Sequence, residues 1–100
     1  MPRAPSAYAV ARVDADRYRL DGTTQDGTRP IAFVDRVHDR ARTPTGWRLR
    51  PLVTMRGSPS TLWGSPAEAL ASTTLLSVAV ATRMLRAADL AAAPDASAPA

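Results

Sequence analysis

The stretch that decides the fold is residues 65–90, SPAEALASTTLLSVAVATRMLRAADL. Its first four residues carry a helix start. Ser65 can accept from an otherwise unpaired amide of the first turn, Pro66 suits the first helical position because no N–H is needed there, and Glu68 can reach back to the Ser65 amide. At about 100° per residue, Leu70, Leu76, Ser77, Val78, Val80, Met84 and Leu85 fall on one wide arc. Glu68, Ser72, Thr82, Arg83, Arg86 and Asp89 fall on the other, and Leu75 and Leu90 lie on that polar side. The reading is one long helix from Ser65 to Leu90. Its apolar arc is wider than one sheet needs, which leaves room for a second contact such as a dimer partner. Val78, Val80 and several threonines are β-branched, so packing rather than propensity must supply most of the stability. The uncharged run 69–82 is too short to cross a bilayer, which takes about 20 residues.

Upstream, apolar alternation predicts strands. Ala7–Val13 is the first, with Tyr8/Val10/Arg12 and Ala9/Ala11/Val13 both acceptable as its inward set. Asp14-Ala15-Asp16 turns the chain into Arg17–Leu20, whose Tyr18 and Leu20 share one face. Asp21-Gly22 and Asp26-Gly27 bracket a polar loop, each dipeptide suiting a turn. Pro30 opens a third strand with Ile31, Phe33 and Val37 on one face and Ala32, Val34 and Arg36 on the other, and Asp35 interrupts the apolar set. A charged loop, His38–Gly46, leads to a fourth strand at Trp47–Val53, where Pro51 implies an edge or a break. Arg56–Ser60 reads as a linker, and Thr61-Leu62-Trp63 as a short candidate fifth strand.

Strands followed by a helix imply an α+β fold: a small antiparallel sheet of four or five strands with one long C-terminal helix on one face. The expected core is Tyr18, Leu20, Ile31, Phe33, Trp47, Leu49 and the helix arc. One hundred residues allow one domain, placed at 7–90, with tails at 1–6 and 91–100. A domain this small is marginally stable, so dimerisation is a reasonable source of further stability. The chain opens without an apolar signal segment, which predicts a cytoplasmic protein.

Catalytic constellations are not evident, and the expectation is a non-enzymatic protein without cofactor or metal. Cysteine is absent, which removes thiolate chemistry and disulfides, and His38 stands alone in a charged loop. The spacing of Asp14 and Asp16 begins like a calcium loop, but Tyr18 occupies the next ligand position and no glycine follows. Glu68 belongs to the helix cap and has no carboxylate companion for acid–base work.

Charge carries the functional signal. All thirteen basic residues are arginine. Residues 1–28 hold four Arg and four Asp, residues 29–56 hold seven Arg and two Asp, and residues 57–100 are net −1. The excess positive charge therefore lies in the middle third, the pattern of a phosphate-binding surface. If the expected core points inward, Arg17, Arg19, Arg36, Arg48 and Arg50 point outward, with Arg40 and Arg42 in the adjacent loop. Guanidinium groups on a sheet face can pair with phosphates or contact guanine edges. The bland alternative is a solvated face covered by arginine stems. Aromatic residues are not interleaved on this face, which disfavours binding of single strands by stacking.

The order of a small sheet, a tryptophan, then Ser65-Pro66-x-Glu68-Ala69 opening a helix resembles the arm-binding domains of phage integrases. The likeness lies in element order and a common helix-start motif. The expected function is nucleic-acid binding of a phage or mobile-element accessory type, with double-stranded DNA as the first candidate partner. The alternative is a protein-interaction module or inhibitor, docking on an acidic protein surface or forming a homodimer through the helix arc. A membrane role is not expected.

Overall fold

The computed structural model describes residues 5–56 and 60–92. Four strands, β1 (Ala7–Asp14), β2 (Arg17–Thr24), β3 (Gly27–His38) and β4 (Pro44–Pro51), form one antiparallel sheet in the order β1-β2-β3-β4. Two helices follow, α1 (Pro66–Ala71) and α2 (Val78–Ala92). The helices cover one face of the sheet: α1 packs on β3 and β4, and α2 on β1 and α1. The α+β class, the antiparallel order and the helical C-terminus follow the sequence expectation. Residues 57–59 of the expected linker and residues 1–4 and 93–100 of the expected tails lie outside the described residues. Ser6 joins the fold, its amide donating to the Thr23 carbonyl at 2.8 Å.

The helical stretch is interrupted, which corrects the expectation of one continuous helix. The cap is as read: Ser65 Oγ accepts from the Glu68 amide at 3.2 Å with Pro66 at the first position. Six residues later the hydroxyl-rich run takes over. Thr73 Oγ1 donates to the Leu70 carbonyl at 2.7 Å and Ser72 Oγ to that of Ala69 at 2.6 Å. Such side chains compete for helix carbonyls. Thr74 then adopts a left-handed conformation (φ 62°), which ends the helix. Ser77, assigned to the apolar arc, instead caps α2, accepting from the Val80 amide at 3.1 Å. The break resets the helical phase. The buried face of α2 becomes Ala81, Leu85 and Ala88, and Val78 is half exposed.

The core residues Leu20, Val34, Leu49 and Leu70 are fully buried, with Tyr18 and Trp47 nearly so. Each such aliphatic side chain contributes about 1.5–3 kcal/mol by its removal from water. Tyr8 and Val10 pack against this core, so the first strand's inward set is Tyr8/Val10/Arg12. The third strand is inverted relative to expectation. Val34 pairs with Tyr18 and Leu49, and Ala32 with Leu20, so Ala32 and Val34 enter the core. Phe33 pairs with Arg19 and Arg50 on the opposite face, outside the core that was expected to include it. Ile31 is buried as well, because the register shifts between Leu20 and Asp21 and leaves it as an extra residue. IAFV is apolar throughout, so alternation alone could not choose its face.

The expected loop at 21–28 is mostly strand. β2 continues to Thr24, Gln25-Asp26 makes the turn, and β3 resumes at Gly27. Gly22 serves close packing here: a Cβ at that position would lie 2.8 Å from Pro5 Cγ and 3.3 Å from Ile31 Cγ2. The candidate fifth strand reduces to a single bridge, in which Trp47 and Trp63 exchange two backbone hydrogen bonds at 2.8 Å. One polar latch ties α2 to the sheet. The half-buried Asp89 carboxylate accepts from Tyr18 Oη at 2.7 Å and from Arg12 Nη1 at 3.0 Å. Burial, the Asp89 hydrogen bond and its negative charge together push the Tyr18 hydroxyl from 10 up to about 12.

Candidate nucleic-acid interface

The face opposite the helices is built by strand alternation. Each inward core residue sends its neighbours outward, so Tyr18, Leu20 and Leu49 dictate that Arg17, Arg19, Arg48 and Arg50 share the outer face. Cross-strand pairing arranges them in two rows: Ala11, Arg19, Phe33 and Arg50 in one, and Asp14, Arg17, Asp35 and Arg48 in the next. Four of the seven arginines singled out by sequence are thus brought together.

The other three are elsewhere. Arg36 belongs to the helix-side face, a correction that follows from the inversion of β3. It pairs with Trp47, its guanidinium lies 4.7 Å from the indole centroid, and its Nε is 3.8 Å from Asp16 Oδ1. Arg40 and Arg42 lie exposed in the loop between β3 and β4. That loop is shaped by Asp39, whose Oδ1 accepts from the amides of Ala41 at 2.8 Å and Thr43 at 2.9 Å. Asp39 therefore organises the backbone beneath the two guanidinium groups.

The outer arginines fall into two electrostatic classes. On β2, Arg19 forms a forked pair with Asp21, Nε to Oδ1 at 2.8 Å and Nη2 to Oδ2 at 3.1 Å, and Asp21 is only 8 % exposed. Arg17 Nε donates to Asp35 Oδ1 at 2.6 Å, and its guanidinium lies 4.9 Å from the Phe33 centroid. These charges are largely compensated within the sheet. On β4, Arg48 and Arg50 are exposed and make no ion pair among the described residues. On this face and the loop beside it, the arginines without an ion pair form a stripe along β4 and its preceding loop, Arg40, Arg42, Arg48 and Arg50; Arg29, Arg56, Arg83 and Arg86 are also exposed and make no ion pair among the described residues.

Sequence reasoning missed Phe33 as a member of this face. The available signal was the cross-strand requirement that Val34 meet both Tyr18 and Leu49, which only pairing makes visible. Among the described residues no group of three or more His, Asp or Glu side chains is placed to hold a metal ion, and no helix is long and apolar enough to cross a membrane. Compared with family models, with curated proteins and with solved structures, the chain matches none.

Proposed function

We propose that this protein is a small, non-enzymatic nucleic-acid-binding module whose contact surface is the outer sheet face on its β4 side. The observation that carries the reading is the pair Arg48 and Arg50, exposed on that face without acidic partners among the described residues, in line with the Arg40/Arg42 loop. Planar guanidinium groups so placed can form bidentate contacts to phosphate, and each contact releases condensed counterions. The supporting test is fluorescence anisotropy with labelled duplex DNA, single-stranded DNA and an acidic protein control, titrated with salt. Binding that exceeds the acidic control and falls steeply with salt is expected. Absence of binding at low salt would leave the arginines as a solvated face.

A second reading, a protein-interaction module, is favoured by one observation. Val53 (49 % exposed) and Leu75 (36 %) line a cleft of about 810 Å³ together with Tyr8, Ile31 and Met55. Light scattering tests its homodimer form; a monomer at high concentration removes it.

A further inference from the structure

A solvated sheet face has no structural need of a phenylalanine at its centre, yet Phe33 sits there. It lies on the inner strand β3, with Arg19 opposite on β2 and Arg50 opposite on β4. It is the one aromatic residue of the outer face among the described residues: Tyr8, Tyr18, Trp47 and Trp63 pack in or against the helix-side core. Its ring is already attended by the Arg17 guanidinium, which Asp35 holds at 2.6 Å. A ring covered in this way is a poor platform for stacking an unpaired base, but it keeps an apolar surface for contact. The dimensions of the face also bear on the partner. A B-DNA major groove, about 12 Å wide, admits a two-stranded ribbon, and β3 with the edge strand β4 forms such a ribbon, carrying Phe33, Arg48 and Arg50.

Resting on the nucleic-acid reading above, we propose that the β3–β4 ribbon enters the major groove of duplex DNA and that Phe33 recognises thymine through its 5-methyl group. The methyl is the one apolar feature that base edges display in that groove, and Phe is among the side chains suited to it. Arg48 and Arg50, without an ion pair among the described residues, supply the phosphate contacts beside it, while Arg17 and Asp35 position the ring from the other side. The site thus divides labour between an apolar reader on β3 and cations on β4.

The test compares a duplex of alternating adenine and thymine with the same duplex carrying uracil in place of thymine, using the full chain. A single-stranded thymidine oligomer serves as a third probe. The wild-type protein is expected to bind the uracil duplex roughly fourfold more weakly, the factor that corresponds to losing about one buried CH₂-sized group. Phe33→Ser is expected to bind both duplexes alike, at the level of the uracil duplex. The thymine–uracil comparison is made on the wild type, so it stands even if that variant folds poorly. Equal wild-type affinity for both duplexes, with binding still weakened by Arg48→Ala/Arg50→Ala, would overturn the role of Phe33 and leave the nucleic-acid reading intact. Tighter binding of the single strand than of either duplex would overturn the groove. Failure to bind any of the three would remove both readings together.

Discussion

Strands β2 and β4 each present two arginines on the same face of the same sheet, and the two pairs have different fates. Arg17 and Arg19 are held by Asp35 and Asp21, one of them by a fork onto a nearly buried carboxylate. Arg48 and Arg50 stand exposed with no such partner among the described residues. Composition alone treats all four as equivalent positive charge. The ion pairs separate them: Asp35 lies opposite both Arg17 and Arg48 in register, but its carboxylate pairs with Arg17, and Asp21 on β2 pairs with Arg19. The β2 side contributes to holding the sheet together, and the β4 side retains the charge a polyanion would meet.

That contrast yields a graded set of expectations. The largest effect should come from the residue between the two free arginines. Leu49 is fully buried, and Leu49→Ala should destabilise the protein by about 2–5 kcal/mol in chemical denaturation. Next comes Arg19→Ala, which leaves the Asp21 carboxylate without its fork. A loss of roughly 1–3 kcal/mol is expected, with partial recovery in Arg19→Ala/Asp21→Asn. An equal loss from Arg50→Ala would erase the distinction between the strands.

A pH titration probes β2 at Tyr18, between its two arginines. The Tyr18 hydroxyl is raised from 10 to about 12, so in that window the unfolded chain has lost the proton while the folded protein keeps it. Stability contributed by this group is complete below pH 10 and declines as pH rises toward 12. Thermal melts should show this decline in the wild type and a shallower one in Tyr18→Phe. A matching slope in both would place the alkaline loss elsewhere. The smallest expected effect is that of Arg48→Ala and Arg50→Ala on folding, each within about 0.5 kcal/mol, since both are exposed and neither makes an ion pair among the described residues.

Much of the architecture was legible because local signals agreed. Ser65, Pro66 and Glu68 marked the helix start, and the alternation around Tyr18/Leu20 and Trp47/Leu49 set the inward faces of β2 and β4. Two features were not. In β3 the run IAFV offers apolar residues to both faces, and the extra residue Ile31 shifts the phase, so Phe33 and Arg36 were each assigned to the wrong side. In the helical region the hydroxyls of Ser72, Thr73 and Ser77 act on the backbone, an effect that a helical wheel does not register. The consequence for the candidate site was specific. Arg17, Arg19, Arg48 and Arg50 were found by alternation, whereas the Arg17–Asp35 pair and the ring at their centre emerge only from cross-strand neighbours, and the Arg19–Asp21 pair from β2 continuing past Leu20.

The measurement that bears most directly on the account is the salt dependence of duplex DNA binding for two double variants. Arg48→Ala/Arg50→Ala removes two unpaired charges. Arg17→Ala/Asp35→Ala removes an ion pair and leaves the net charge unchanged. The predicted result is a plot of log affinity against log salt that flattens by about 1.8 in the first variant, the loss of two phosphate contacts at roughly 0.9 each, and keeps the wild-type slope in the second. Equal slopes in both variants and the wild type would contradict the assignment of the interface to β4.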